Sequence, residues 1–451
     1  MRCGCRHWST GILQKAGLNE AICMKPVQDG IDQHFKQHVA ELGDDVSIVA
    51  NQDIYSKTGI KLLMKGANIN SSTYQRILEH KLLPPLEQTL SIENPVTSES
   101  LAEYAGTLNA PIFEKMQQLL PKEQSPLSVM HAIHLDPAFS FKLTVARERM
   151  HDLYAHSVST ALLCAYIGIR MGLDHGAVID LATAGLFHDL GELHIDPALL
   201  DPSRKLKGSE IKHIHTHPLT IYMIMQELDG YSPQIAQAIL EHHERLDGSG
   251  YPRGISEISR LGRLLAVAEV AVSLYRSLGA KDTARIETVL KLNMHHQMDA
   301  DTISHVLLLL HGTEKAENRI DIGLLRSMFT EMSKHFSHWD AIIVPNLNIE
   351  SRRSKNEIVS FLMGQVEMVR QMLESVGFNS EHIDPFLKSL SDDSLEAREL
   401  QNVANEFAWQ IKNIAHEMHR RCAMFEQRDD PVAELMKDWL VHVELTLKHW
   451  Q

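Results

Sequence analysis

Histidines and carboxylates recur along the chain at spacings that suit metal chemistry. His156 follows Asp152 by four residues, which sets both on one face of a helix. His188-Asp189 is an adjacent pair at the end of an apolar helical pattern, followed by Gly191. His217-Pro218 comes next. His242-His243 then leads into Glu244 and the string Asp247-Gly248-Ser249-Gly250-Tyr251-Pro252, and the apolar stretch Arg263–Glu269 carries one acid, Glu269. Neutral imidazoles mixed with carboxylates suit first-row metals such as iron, manganese or zinc. So many histidines with two or three carboxylates exceed the needs of one tetrahedral zinc. A dinuclear or larger site is the economical reading, with Asp189 bridging through its two oxygens. A metal pair activates water and stabilises charge on phosphoryl oxygens, so the chemistry indicated is phosphodiester hydrolysis.

Each piece has a plainer reading. A lone histidine on an apolar helix is usually a satisfied packing residue, and Asp247–Pro252 has the composition of a turn. The order and number of the pieces favour the metal reading, because two adjacent buried imidazoles without ligation are costly. The glycines of the loop let backbone approach a ligand, and Tyr251 offers a ring to pack on. His131, His134, His151, His175, His213 and His215 are read as surface or packing residues.

The elements that must position these residues are mostly helical. Val158, Leu162, Ala165 and Ile169 recur at helical spacing, Gly172 ends that helix, and Asp174 caps the next, which runs through Val178, Leu181 and Ala182 towards His188. Ser203–Ser209 reads as a polar loop, and Ser232 precedes a helix containing Ile235, Ile239 and His242. Upstream, Val46–Asn51 and Gly59–Met64 read as strands with Gly66 in a turn. Ser71–Leu90 has helical spacing with Ser72 or Thr73 as its cap, and Asn94–Ser100 reads as a loop. Downstream, Glu357–Val376, Ser394–Phe425 and Val432–His449 are amphipathic helix candidates, with a break around Pro345 and a helix start at Pro385. Three helices with short connections suggest a bundle, a surface suited to a protein partner or to self-association.

Composition sets the outer limits. The chain has 451 residues, 44 Lys+Arg against 58 Asp+Glu, and a formal net charge of −14. That balance excludes a duplex nucleic-acid coat, which needs clustered cations. It leaves room for a small phosphorylated ligand whose charge is met by metal ions. No apolar run approaches the ~20 residues of a membrane-spanning helix, and no secretory h-region follows the basic N-terminus. The five cysteines, Cys3, Cys5, Cys23, Cys164 and Cys422, are odd in number and irregular in spacing. They read as reduced thiols of a cytoplasmic protein. Residues 1–23 read as dispensable, with Met24 an alternative start. Twelve of the 27 histidines lie between His131 and His243, so the chemistry is sought there.

The string His242-His243-Glu244-Arg245-Leu246-Asp247-Gly248-Ser249-Gly250-Tyr251-Pro252, with His188-Asp189-Leu190-Gly191 upstream, resembles the HD-GYP family, a branch of the HD metal-dependent phosphohydrolases. Lys205-Leu206, Glu210, His217-Pro218 and the Arg263–Glu269 helix extend the resemblance over roughly residues 140–312. It implies a helical HD-GYP core, placed at 131–315, and the patterns on either side complete a mainly α protein with a small mixed N-terminal region at 1–130 and a C-terminal helical region at 316–451. It implies two or three divalent ions, iron or manganese, held by Asp152, His156, His188, Asp189, His217, His242, His243 and Glu269. His188 and Asp189 would be catalytic, and Gly250, Tyr251, Pro252 and Glu192 would face substrate. The implied activity is hydrolysis of the bacterial second messenger cyclic di-GMP to linear pGpG or GMP.

The chain departs from the family pattern at four places. Glu192 stands where a lysine usually ends the HD-x-G-K string, and His194 stands where glycine is usual, as a new rim contact. Glu269 replaces aspartate. The Arg-Pro-Tyr stretch beyond it is not reproduced, and Arg276 is out of register. These departures keep two other readings open: a module that binds cyclic di-GMP or partners without turnover, and a phosphohydrolase of another nucleotide.

Overall fold

The computed structural model describes residues 26–78, 80, 82–83, 86–108, 111–201, 204, 206, 208–279, 283–293, 297–310, 321–346, 357–375, 395–422 and 431–448. Within them the protein is mainly α. The elements in chain order are α1 (Pro26–Leu42), β1 (Ile48–Ala50), β2 (Ile54–Ser56), β3 (Lys61–Leu63), α2 (Ser71–Leu78), β4 (Leu82–Leu83), β5 (Leu90–Ile92), α3 (Ser98–Thr107), α4 (Pro111–Leu119), α5 (Pro126–Ala132), α6 (Pro137–Arg149), α7 (His151–Arg170) and α8 (His175–Phe187). A 3-10 turn, Leu190–His194, precedes α9 (Pro197–Leu200), α10 (Gly208–Ile214), α11 (His217–Met225), α12 (Pro233–Glu241), α13 (Arg260–Leu278), α14 (Thr283–Asn293) and α15 (Ala300–Leu310). The rest is α16 (Ile322–His338), a π turn at Trp339–Ile343, α17 (Glu357–Ser375), α18 (Leu395–Cys422) and α19 (Pro431–Lys448).

The chain divides into two compact units, Met1–Ser277 with Gln297–Leu309, and Leu278–His296 with Leu310–Gln451. The sequence had suggested three segments. The described N-terminal segment shares the first unit because its helix is part of that unit's core. On α1, Phe35 is fully buried and stacks on His194 of the 3-10 turn, ring centroids 4.9 Å apart, with Lys142 Nζ 3.8 Å over its ring. His194 is therefore a buried packing residue and not a rim contact.

The N-terminal strands form two small antiparallel sheets. One pairs β1 with β5 in the register Ile48↔Ile92, and the other has the order β3-β2-β4. The helix expected over Ser71–Leu90 stops at Leu78. Pro84-Pro85 follows, and two residues without N–H donors cannot sit inside a helix. Its cap is Asn70, whose Oδ1 accepts from the amides of Ser72 and Thr73 at 3.1 Å each. Neither Ser72 nor Thr73 serves as that cap, because the helix begins one residue earlier than their spacing suggested.

The core of the first unit is built on α7 and α8. Val158, Ala161, Leu162 and Ala165 of α7 and Val178, Leu181 and Ala182 of α8 are all between 0% and 2% exposed. Each large apolar side chain so buried contributes about 1.5–3 kcal/mol. Asp174 caps α8 by accepting from the amide of Ala177, and Ser232 caps α12 by accepting from Gln234, as their positions in the sequence indicate. The second unit buries Phe329, Trp339, Val369, Phe407 and Trp439 in its own core, where Trp439 Nε1 donates to the carbonyl of His335 at 2.9 Å. The helix α16 lies within the region 316–451 read as helical, although no separate helix was marked there. Pro345 lies in a helical turn at Val344–Asn346, and Pro385 falls outside the described residues.

Candidate metal centre

The centre assembles at helix ends. His156 sits in the second turn of α7, His188 ends α8, His217 opens α11, His242 ends α12, and Glu269 lies in the middle of α13. Three of the histidines are oriented by one device. The Nδ1 of His188 bonds to the carbonyl of Gly185 at 2.8 Å, that of His217 to Ile214 at 2.8 Å, and that of His242 to Ile239 at 2.6 Å. A carbonyl only accepts, so each Nδ1 carries the proton. In the neutral ring each Nε2 then presents a lone pair, the tautomer a metal requires.

These nitrogens converge on Asp189. Its Oδ2 stands 3.1 Å from His188 Nε2 and 3.5 Å from His156 Nε2. Its Oδ1 stands 3.2 Å from His217 Nε2 and 3.4 Å from His242 Nε2. Glu269 Oε2 closes the first side, 2.6 Å from His156 Nε2 and 2.9 Å from His188 Nε2. Two groups result, His156-His188-Asp189-Glu269 and Asp189-His217-His242-His243. They share Asp189, one oxygen to each side.

The donor set fits cations. Nε2 of His156 and His188 are 3.3 Å apart, as are those of His217 and His242. Two nitrogens that close repel when both present lone pairs, so either a shared proton or a cation must lie between them. Among the described residues, Asp189 Oδ1 is the one buried carboxylate oxygen without a hydrogen-bond partner. Leaving it so costs free energy that a cation would recover.

The electrostatics follow from this crowding. Burial alone would lower His188, but Asp189 and Glu269 reverse that and hold it well above the usual histidine range. Burial pushes His242 down to about 4, and burial with the neighbouring His242 and His217 holds His243 well below the usual histidine range. Burial and the charge of Asp189 push the Glu192 carboxyl up to about 7.

Asp152 stands apart from both groups. Its side chain is fully exposed in the first turn of α7, where Arg276 Nη2 holds Oδ1 at 3.0 Å and Nη1 donates to its backbone carbonyl at 2.8 Å. The four-residue spacing to His156 places it on the right face, but the α7 axis carries it one turn beyond the donors.

The loop Asp247–Pro252 lies against the second group. Tyr251 stacks on His243, centroids 4.5 Å apart at 25°, and its amide donates to the carbonyl of His243 at 3.1 Å. Gly250 is required there, since a Cβ would strike the backbone from His243 to Arg245. Two buried glutamates that the sequence reading gave no role hold the loop. Glu244 accepts from the amides of Arg253 and Ile255 at 2.8 and 3.1 Å, and Glu241 accepts from Ser259 at 2.8 Å and Arg253 Nη2 at 2.6 Å. His215, read as a surface or packing residue, stacks face to face on Tyr251. The HxH spacing of His215 and His217 was its only trace in the sequence.

Residues 131–300 match the model of the HD domain. The chain is 29% identical over 219 residues to a 3'3'-cGAMP-specific phosphodiesterase 1 of Vibrio cholerae, covering 42% of this chain and 50% of that protein. It is 32% identical over 132 residues to a cyclic di-GMP phosphodiesterase of Pseudomonas aeruginosa, 28% of this chain and 32% of that one. The chain thus spans about half or less of these relatives. Among solved structures, an HDG"Y"P protein from Bdellovibrio bacteriovorus aligns with a TM-score of 0.32 at 15% identity, over 58% of this chain and 95% of that one. Among the described residues no helix is long and apolar enough to cross a membrane.

Proposed function

We propose that residues 131–300, which match the HD domain model, form a domain of the HD-GYP branch and that its metal centre hydrolyses a phosphodiester bond of a cyclic dinucleotide. The observation that carries the reading is the division of Asp189, one oxygen facing His156 and His188, the other facing His217 and His242. His156, His188 and Glu269 would hold one divalent ion with Asp189, and His217, His242 and His243 a second. The mixed nitrogen and oxygen donors suit iron or manganese. When bound, such a pair lowers the pKa of a water and neutralises charge on the phosphoryl oxygens. The chain's own part is orientation: three backbone carbonyls fix the imidazoles, Glu241 and Glu244 fix the loop, and Gly250, Tyr251 and Pro252 shape the substrate side.

Names of the relatives supply two substrates to compare, cyclic di-GMP and 3'3'-cGAMP. The linear dinucleotide pGpG, or GMP, is the product proposed from the first, and the cytoplasm is the proposed site of action. The experiment incubates each dinucleotide with anaerobically purified protein supplied with Mn(II) or Fe(II), beside Asp189→Asn. Turnover by the wild type and a loss of about 100-fold or more in Asp189→Asn are expected, since even outer partners of metal ligands are worth 10–100-fold. Full-rate hydrolysis by metal-free Asp189→Asn overturns the reading. A non-catalytic binding module is the second reading, favoured by Glu192, whose carboxyl feels the charges of Asp189 and His217 at the place where the HD-x-G-K pattern has a lysine. Metal-loaded protein that binds but cleaves neither dinucleotide supports it.

A further inference from the structure

His215 lies in the turn between α10 and α11, two residues before His217, with its amide donating to the carbonyl of Ile211 at 3.0 Å. Its ring lies flat on Tyr251, centroids 3.7 Å apart and planes 6° apart. Tyr251 stacks in turn on His243 at 4.5 Å, and the rings of His243 and His242 are 4.0 Å apart. Two rings nearly parallel to Tyr251 at these distances take one face each. The stack therefore runs from half-exposed His215 through Tyr251 into the second donor group.

Backbone contacts secure the path of the loop. They do not set the plane of the Tyr251 ring, which turns freely about its side-chain bonds unless both faces are covered. His243 covers one face and His215 the other. We infer that His215 is a positioning residue, the outer leaf of an aromatic clamp that holds Tyr251 flat against His243 and fixes the substrate side of the second donor group. The inference deepens the proposed function, and rests on it only for its catalytic consequence.

The test uses the full chain, the variants His215→Ala and His215→Phe, and Mn(II) alone as probe. Phenylalanine keeps the stack and discards the ring nitrogens. Stacked aromatic pairs of this kind correspond to roughly 3- to 10-fold in an equilibrium constant. His215→Ala is expected to weaken Mn(II) binding by that factor and to speed hydrogen exchange of the Tyr251 amide similarly, while His215→Phe restores both. Wild-type affinity and exchange in His215→Ala overturn the clamp, and so does a phenylalanine variant no better than alanine. Wild-type protein that binds Mn(II) but cleaves no cyclic dinucleotide overturns the functional reading instead, and the clamp is then judged on affinity and exchange.

Discussion

Replacing Gly191 by alanine strikes the metal centre without touching a ligand. Gly191 lies in the 3-10 turn two residues after Asp189, and that turn packs on the start of α11. A Cβ at 191 would run into the carbonyl oxygen of His217 and come within 2.8 Å of its carbonyl carbon and Cα. Carbon atoms in ordinary contact stand about 3.5–4.0 Å apart, so the turn must retreat from α11 by about 1 Å. Asp189 Oδ1 and His217 Nε2, now 3.2 Å apart, lie on the two sides of that gap. Overpacking of this kind costs about 1–3 kcal/mol. At about 2–4 °C per kcal/mol for a domain of this size, a mid-range cost of about 2 kcal/mol lowers the melting temperature by about 4–8 °C. A 1 Å misplacement is also enough for about a 100-fold loss of rate. Calorimetric titration with Mn(II), thermal melting and dinucleotide hydrolysis read the three effects. Weakening is expected at the group Asp189-His217-His242-His243 before the other. Gly106→Ala is the control, because a Cβ there meets nothing within 4 Å and sits near the end of α3, where alanine is the better helix former. A Gly191→Ala protein with wild-type melting and two wild-type Mn(II) affinities would refute the argument that this contact sets the spacing of the centre.

Because Arg276 holds the Asp152 carboxylate, the wild type is expected to carry two Mn(II) per chain, and Arg276→Ala, with Asp152 released, to carry no fewer. Elemental analysis decides, and three ions in the wild type would show that the Asp152–Arg276 pair does not limit the count. The Glu192 carboxyl, raised from 4.5 to about 7, binds extra protons in the folded state between those values. Stability of the chelator-treated protein therefore falls as pH rises from about 4.5 through 7, and Glu192→Gln flattens that fall. Identical slopes of melting temperature against pH in the two proteins would count against it.

The helices and the donors were legible in the sequence for different reasons. Caps such as Asp174 and Ser232 act within a few residues, so local pattern reveals them. The histidine and carboxylate string was legible because its chemistry is distinctive, and five of its histidines with Asp189 and Glu269 come together as two groups. Asp152 was misplaced because helical spacing reports the face of a helix and not the depth at which a side chain meets its neighbours. Arg276, its partner, lies 124 residues away. The shorter α2 reflects the proline pair after it, a stop signal outweighed by the periodicity before it. His194, Glu241, Glu244 and His215 act on residues that are distant or brought near by a turn, through contacts that no spacing rule encodes.

The net charge of −14 takes on a different meaning beside this site. Asp189, Glu269 and Glu192 bring three carboxylates into one buried place, where an unbalanced anion is costly. Without metal the chain balances them with protons. Asp189 and Glu269 draw His188 upward, Asp189 draws His217 upward, and Glu192 keeps its proton to about 7. Two divalent ions would bring four positive charges to the same place, so metal and protons compete for it. A phosphodiester anion would then meet a locally positive centre in an acidic protein. Glu192 lessens that surplus by one charge when ionised, at the place where the HD-x-G-K pattern has a lysine, so on the proposed function it is expected to weaken the hold on an anionic substrate.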